Sequence, residues 1–171
     1  MKRGAGLLAI LILLLLFCSG TTLRAQQLLN SPISLVTPVP VNSTANELIQ
    51  FANQRPLLRE LLIQSGILTT LSNDKPYTFF APTEAALQEI QYESAEKLQT
   101  IMQHHIVPGR YPLQNLKDGA LLPTLAGDSV MVFRKFQAAA INSIRVNGSY
   151  ETANHIVVHT IEDILKPKKL E

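Results

Sequence analysis

With 171 residues, 46% of them hydrophobic, the chain is long enough to bury one core, and its single cysteine, Cys18, excludes an internal disulfide. Of its 15 basic residues, Lys2, Arg3 and Arg24 fall in the N-terminal segment, which leaves 12 against 13 acidic residues in the remainder. That near-neutral balance lacks the positive field that nucleic-acid binding requires, so nucleic acid is excluded as a partner and the nominal pI of 8.8 misleads.

Lys2 and Arg3 precede an apolar run from Leu7 to Phe17, shorter than the roughly 20 residues that cross a bilayer. This is the pattern of an export signal. Cleavage near Ala25 gives a leader of residues 1–25 and a mature form with no transmembrane span. The alternative is lipid attachment at Cys18, against which stands the bulky Phe17 before it. Cys18 otherwise reads as a small apolar residue of the leader. Residues 26–41 contain Pro32, Pro38 and Pro40 and read as an extended linker, leaving one domain over 42–169.

The domain opens with helical spacing. Thr44-Ala45-Asn46-Glu47 has the form of a capping box ahead of Leu48, Phe51 and Ala52. Pro56 suits the first position of a second helix with Leu57, Leu58, Leu61 and Leu62 as its stripe, and Gly66 is its stop. Tyr77-Thr78-Phe79-Phe80 predicts a short strand ended by Ala81-Pro82. Thr83 then caps a helix with Glu84 in its first turn and Leu87 and Ile90 inward. Leu98, Ile101, Met102 and His105 share one face of a further helix over Ala95–His105, with His104 off that stripe and available for contact.

The period then changes, and Leu121–Leu125, Ser129–Phe133, Ala138–Ile141, Ser143–Val146 and Ile156–Ile161 read as strands. Ala126-Gly127-Asp128 and Asn147-Gly148 supply hairpin turns. Helices early and strands late predict an α+β fold with mainly antiparallel sheets.

Three collinear segments resemble the signature of the fasciclin family, as in a bacterial secreted single-domain member. They are Tyr77 to Ala86, containing Phe80-Ala81-Pro82-Thr83; His104-His105-Ile106-Val107-Pro108-Gly109; and Asn154 to Pro167, containing His159. The resemblance implies a fasciclin-like wedge of two mainly antiparallel β-sheets with helices packed around it. It further implies a binding or adhesion module of the cell surface, extracellular matrix or envelope, whose partner is a surface or matrix protein or polysaccharide. His104, His105, Ile106, Val107 and Tyr111 occupy the adhesion-motif positions, with the hairpins of the second half as further contact surface. Phe80, Ala81, Pro82, Thr83, Pro108, Gly109, Asn154 and His159 are the structural motif. The chain departs from the family pattern at His104, which stands for a tyrosine, and at His155, which stands for a glycine.

Enzymatic and metal readings find little support. His155 and His159 have zinc spacing only on a helix, whereas the β-branched residues between them predict a strand that separates them by roughly 13 Å. His105 and His159 each read as a neutral histidine giving one ring proton to a backbone carbonyl. There is no Gly-x-Ser-x-Gly elbow, the consecutive Glu162-Asp163 diverge, and no glycine-rich phosphate loop follows a strand. The expectation is a non-enzymatic, exported module without cofactor or metal, secreted, periplasmic or surface-associated. The alternative is a small-ligand carrier or hydrolase on the same fold.

Overall fold

In the computed structural model, which describes residues 43–152 and 155–166, the early helical spacing becomes α1 (Ser43–Ala52) and α2 (Pro56–Gln64). The leader, the linker, Cys18 and Asn154 lie outside the described residues. Leu48 and Ala52 of α1 and Leu58, Leu61 and Leu62 of α2 are buried, the i, i+3, i+4 positions that place side chains on one face. Gly66 follows α2 at φ 65, a left-handed conformation that a β-carbon would disfavour, and turns the chain into a 3-10 turn at Ile67–Thr69.

The expected capping box does not form, because tertiary partners take both of its side chains. Thr44 is buried and its hydroxyl donates to Ser72 O at 3.0 Å. The Glu47 carboxylate accepts from the Thr152 hydroxyl and from the His155 N–H. At α2, Arg55 provides no side-chain cap. The first-turn amides of Leu57 and Leu58 instead donate to the two carboxylate oxygens of Glu84, at 3.1 and 3.2 Å. Glu84 also opens α3 (Glu84–Leu87), so one negative charge serves the positive ends of two helices.

Seven strands follow: β1 (Tyr77–Pro82), β2 (Ile106–Pro108), β3 (Leu121–Pro123), β4 (Ser129–Lys135), β5 (Ala138–Ile141), β6 (Ile144–Glu151) and β7 (Ile156–Ile161). Their hydrogen-bonded order is β2-β1-β7-β6-β5-β4-β3, a single sheet where the wedge implied two. Every pairing is antiparallel except β1 with β7. Leu125 N donates to Ile106 O at 2.9 Å, so the chain after β3 reaches β2 and the sheet nearly closes into a barrel.

Two local expectations change. Ala81-Pro82 does not end β1, which stays paired with β7 through Pro82. The Phe80 amide bonds to His105 O on the β2 side, and Pro82, two residues on, faces that side beyond the end of β2, where no donor is needed. Asn147-Gly148 lies within β6 at a register shift, and the chain instead reverses at Asn142-Ser143, with φ 47 and 73. The Ile141–Ile144 pairing closes that two-residue turn, and Asn142 Oδ1 accepts from Met131 N at 2.8 Å. The Ala126-Gly127-Asp128 turn does join β3 to β4, with Gly127 at φ 86.

Strand alternation divides the interior into two cores. Tyr77, Phe79 and Ala81 of β1 and Ile156 and Val158 of β7 face the helices. Phe80 and Ile161 face the other way, into the barrel with Val107, Leu122, Val130, Val132 and Ile141. Both central strands are therefore covered on both faces, and each large side chain there contributes about 1.5–3 kcal/mol by burial.

Between these cores lies His105, the C-cap of α4 (Ala95–His104) and fully buried. Its Nδ1–H donates to Ile101 O at 2.8 Å, and its Nε2 accepts from Leu165 N at 2.9 Å. Both contacts require the neutral ring, and burial pushes its pKa down to about 4.

Two outcomes follow. Glu84→Ala should lower stability by about 1–3 kcal/mol, because two amides at the start of α2 lose a charged acceptor. Urea unfolding would show this as a lower midpoint at constant slope, and an unchanged midpoint would deny Glu84 the role. His105 binds a proton more readily when unfolded, so its contribution is complete above pH 6.5 and declines as pH falls toward 4. The loss over that window is on the order of 3 kcal/mol, and His105→Gln should flatten most of the slope in unfolding midpoints measured across it.

Candidate functional site

The segment leaving α4 carries the residues that the family motif marks for contact. His104, His105, Ile106 and Val107 are all buried, and Tyr111 is half-buried. His104 departs furthest from expectation: it is 1% exposed rather than free at the surface. At the end of α4 its ring lies under the turn between β3 and β4, with Nδ1 2.6 Å from Asp128 Oδ1, which also accepts from the Thr124 hydroxyl. Burial opposes the charge on Asp128, but the hydrogen bonds from Thr124 and His104 outweigh it and hold the carboxyl below its ordinary pKa. An Asp–His pair is part of a hydrolytic triad. Here, however, Nε2 of His104 is sealed from solvent and meets no hydrogen-bond partner among the described residues, so no hydroxyl is activated.

The adjoining turn is held from beneath. Buried Thr78 donates from its hydroxyl to Gly109 O at 2.9 Å and accepts from Tyr111 N at 3.0 Å. Gly109 has φ 114, and a β-carbon there would stand 2.7 Å from the Tyr111 ring. Only glycine allows that close cover. His159 Nε2–H donates to Tyr111 O at 2.8 Å, while its ring stacks on Phe80 at 5.6 Å between centroids. Burial lowers the His159 pKa, against the opposing effects of the Tyr111 bond and the Glu151 charge, so the ring is a neutral Nε2–H donor.

The remaining motif residues lie along β1 and β2 and past the far end of β1. Phe80, Ala81 and Pro82 lie in β1, Pro108 ends β2, and Thr83 accepts from Ala86 N at 3.3 Å while donating to Glu162 O at 3.0 Å. His155 and His159 do not converge. His155 precedes β7 and lies 3.6 Å from Glu47, whereas His159 is inside the barrel. Among the described residues no group of three or more His, Cys, Asp and Glu could hold a metal, and no helix is long and apolar enough to cross a membrane.

Of the large apolar side chains that reach solvent, Ile63 and Tyr92 lie in the helical half and Leu121, Met131, Phe133, Phe136 and Tyr150 on the strands and hairpins of the second half. Met131 and Phe133 alternate with buried Val130 and Val132, and Leu121 pairs with Met131 across β3 and β4. Phe136, at the tip of the next hairpin, is 93% exposed. A depression of about 400 Å³ beside them is lined by Phe133, Lys135, Ala138, Ala140 and Arg145, among others. The alternation over 130–133 was legible as a strand. Which of its faces is outward depends on the closure of the sheet, and no local signal carries that.

The fasciclin domain family model matches residues 54–167. Human periostin is 30% identical over 141 residues, covering 81% of this chain and 17% of periostin. A Plasmodium falciparum protein named heme ligase is 24% identical over 170 residues, covering 87% of this chain and 83% of that protein. A solved fasciclin-domain pair from the insect cell adhesion molecule Fasciclin I superposes with a TM-score of 0.53 at 18% identity, covering 71% of this chain and 51% of that one, a likeness of fold. The chain thus spans less than a fifth of periostin's length. With the family model matched over residues 54–167, most of the chain, the chain belongs to the fasciclin domain family.

Proposed function

We propose that the protein is an exported, non-enzymatic binding module that makes adhesive contacts with a surface or matrix protein or polysaccharide. One observation carries this reading: the histidines and threonines that could do chemistry are spent inside as fasteners of the fold, while apolar side chains of the β3–β5 hairpins stand in solvent. Contact with a partner favours outward aromatic and aliphatic groups, and catalysis requires inward convergence of polar ones. The residues at the adhesion-motif positions then act by shaping the 107–111 turn, and its exposed part, with the hairpins, meets the partner.

In this reading residues 1–25 are an export leader, 26–41 a linker and 42–169 the domain. The compartment follows from the fate of Cys18. Intact mass and fractionation in the native host should give a lipid-free, soluble chain beginning near Gln26. A membrane-bound, lipid-modified chain that Cys18→Ala releases would overturn cleavage near Ala25 and establish tethering.

A second reading, small-ligand handling, draws on the relative named heme ligase. The two separate in one experiment on the purified protein. Beads coated with it should retain cells or matrix of the native host, Leu121→Ser/Phe133→Ser/Phe136→Ser should lose most of that retention, and added heme should keep the absorbance of free heme. Absent retention together with a bound-heme spectrum would favour the second reading.

A further inference from the structure

We propose that the outer face of β4–β5–β6 is a docking site for an acidic polysaccharide, with Phe133 against the face of a sugar ring and Lys135 and Arg145 paired with its carboxylates. The proposal rests on the binding-module reading and names its surface and partner class.

The site is built by strand register. Phe133 on β4 stands opposite Ala140 on β5, which stands opposite Arg145 on β6, and Lys135 stands opposite Ala138. Low Ala140 thus lies between Phe133 on one side and Arg145 on the other, and low Ala138 lies beside Lys135, which leaves the depression of about 400 Å³. That volume falls within the range of small-molecule sites, enough for a short stretch of a chain rather than for a folded partner. The floor and one wall are apolar, matching the C–H face of a pyranose ring.

Charge selects the acid. Arg134, Lys135 and Arg145 line the depression against the carboxylate of Asp118. Asp118 is engaged with the Arg134 amide at 2.7 Å, and the Arg134 guanidinium donates to the neutral carbonyls of Leu113 and Leu116. Lys135 and Arg145 enter no ion pair among the described residues. Glu162, whose amide donates to Arg145 O, makes none with the Arg145 side chain either. Three cations against one carboxylate leave a net charge of +2 at the depression, in a domain whose overall charge is near neutral.

The backbone favours a polysaccharide over a peptide. Ala140 and Ile141 are paired with β4 on one side and β6 on the other, so an extended peptide finds no strand edge at the centre of the trough. Side-chain charge and an apolar wall are what remain. Phe136 adds a second sign of use: a bulky residue at φ 55, 93% exposed, is held in a disfavoured conformation at the tip of the same hairpin.

The test titrates the full chain with polygalacturonate oligomers, and with their neutral methyl esters and poly-glutamate as comparisons. Polygalacturonate should bind at low salt and be released at about 0.5 M salt, where exposed charges are screened, and the methyl ester should not bind. Lys135→Ala/Arg145→Ala and Phe133→Ala should each weaken binding by roughly tenfold with an unchanged urea midpoint. Arg145→Lys should retain most of it. Equal binding of the methyl ester, or unchanged affinity in both Ala variants, overturns the proposal. Binding of poly-glutamate as tight as that of polygalacturonate overturns the sugar assignment in favour of an acidic peptide. If polygalacturonate fails while the coated beads still retain cells, this inference alone falls. If retention also fails, the binding-module reading falls with it.

Discussion

The parallel pairing of β1 with β7 is the constraint on which the rest of the fold depends. Six residues of β1, Tyr77 to Pro82, align with Ile156 to Ile161, and parallel strands cannot be joined by a tight turn. The whole of residues 83–155 is therefore the crossover, and the helices and the barrel lie on opposite sides of this pair. Ordering so long a loop costs conformational entropy before the strands reward it, which two-sided burial of Phe79, Phe80, Ile156, Val158 and Ile161 must offset.

Polar side chains inside that pair have defined partners. Thr78 and His159 both point into the barrel from mostly apolar strands, and both bond to the turn at 109–111. Thr83, one residue past β1, bonds to Glu162, one residue past β7. The described motif residues thus fasten the β1–β7 pair both to the 109–111 turn and past its far end. A buried polar group left without a partner costs about 1–3 kcal/mol, so these residues support the fold only in combination with the turn they hold.

The same economy separates scaffold from surface. His104, His105 and His159 are buried, and each has a ring nitrogen bonded to a backbone carbonyl or to Asp128, whereas the outward faces of β3–β5 carry side chains that contribute little to either core. Such a division allows the exposed residues to differ between fasciclin domains without loss of the fold, which is why family membership does not name a partner. The placement of Phe133, Lys135 and Arg145 on one face follows from the register of β4, β5 and β6.

What the amino-acid sequence determined by itself was local. The stripe of Leu58, Leu61 and Leu62, the stop at Gly66, the cap at Thr83 and the strand content of 129–133 and 156–161 were all legible, because helix and strand periodicity act within a few residues. The motif order also gave the family. Only the tertiary structure decided the partners of charged and polar groups. Thr44 and Glu47 looked like a capping box until Ser72, Thr152 and His155 claimed them, and Glu84 reached across to cap α2. Asn147-Gly148 had stronger turn chemistry than Asn142-Ser143, yet pairing with β7 absorbed it as a bulge. His104 lay off its helix's apolar stripe and was still buried, because the β3–β4 turn arrives from elsewhere in the chain to cover it. Hydrogen bonds between residues 24 to 108 positions apart set the outcomes at Thr44, Glu47, Glu84 and His104, and no local pattern encodes which distant group will arrive.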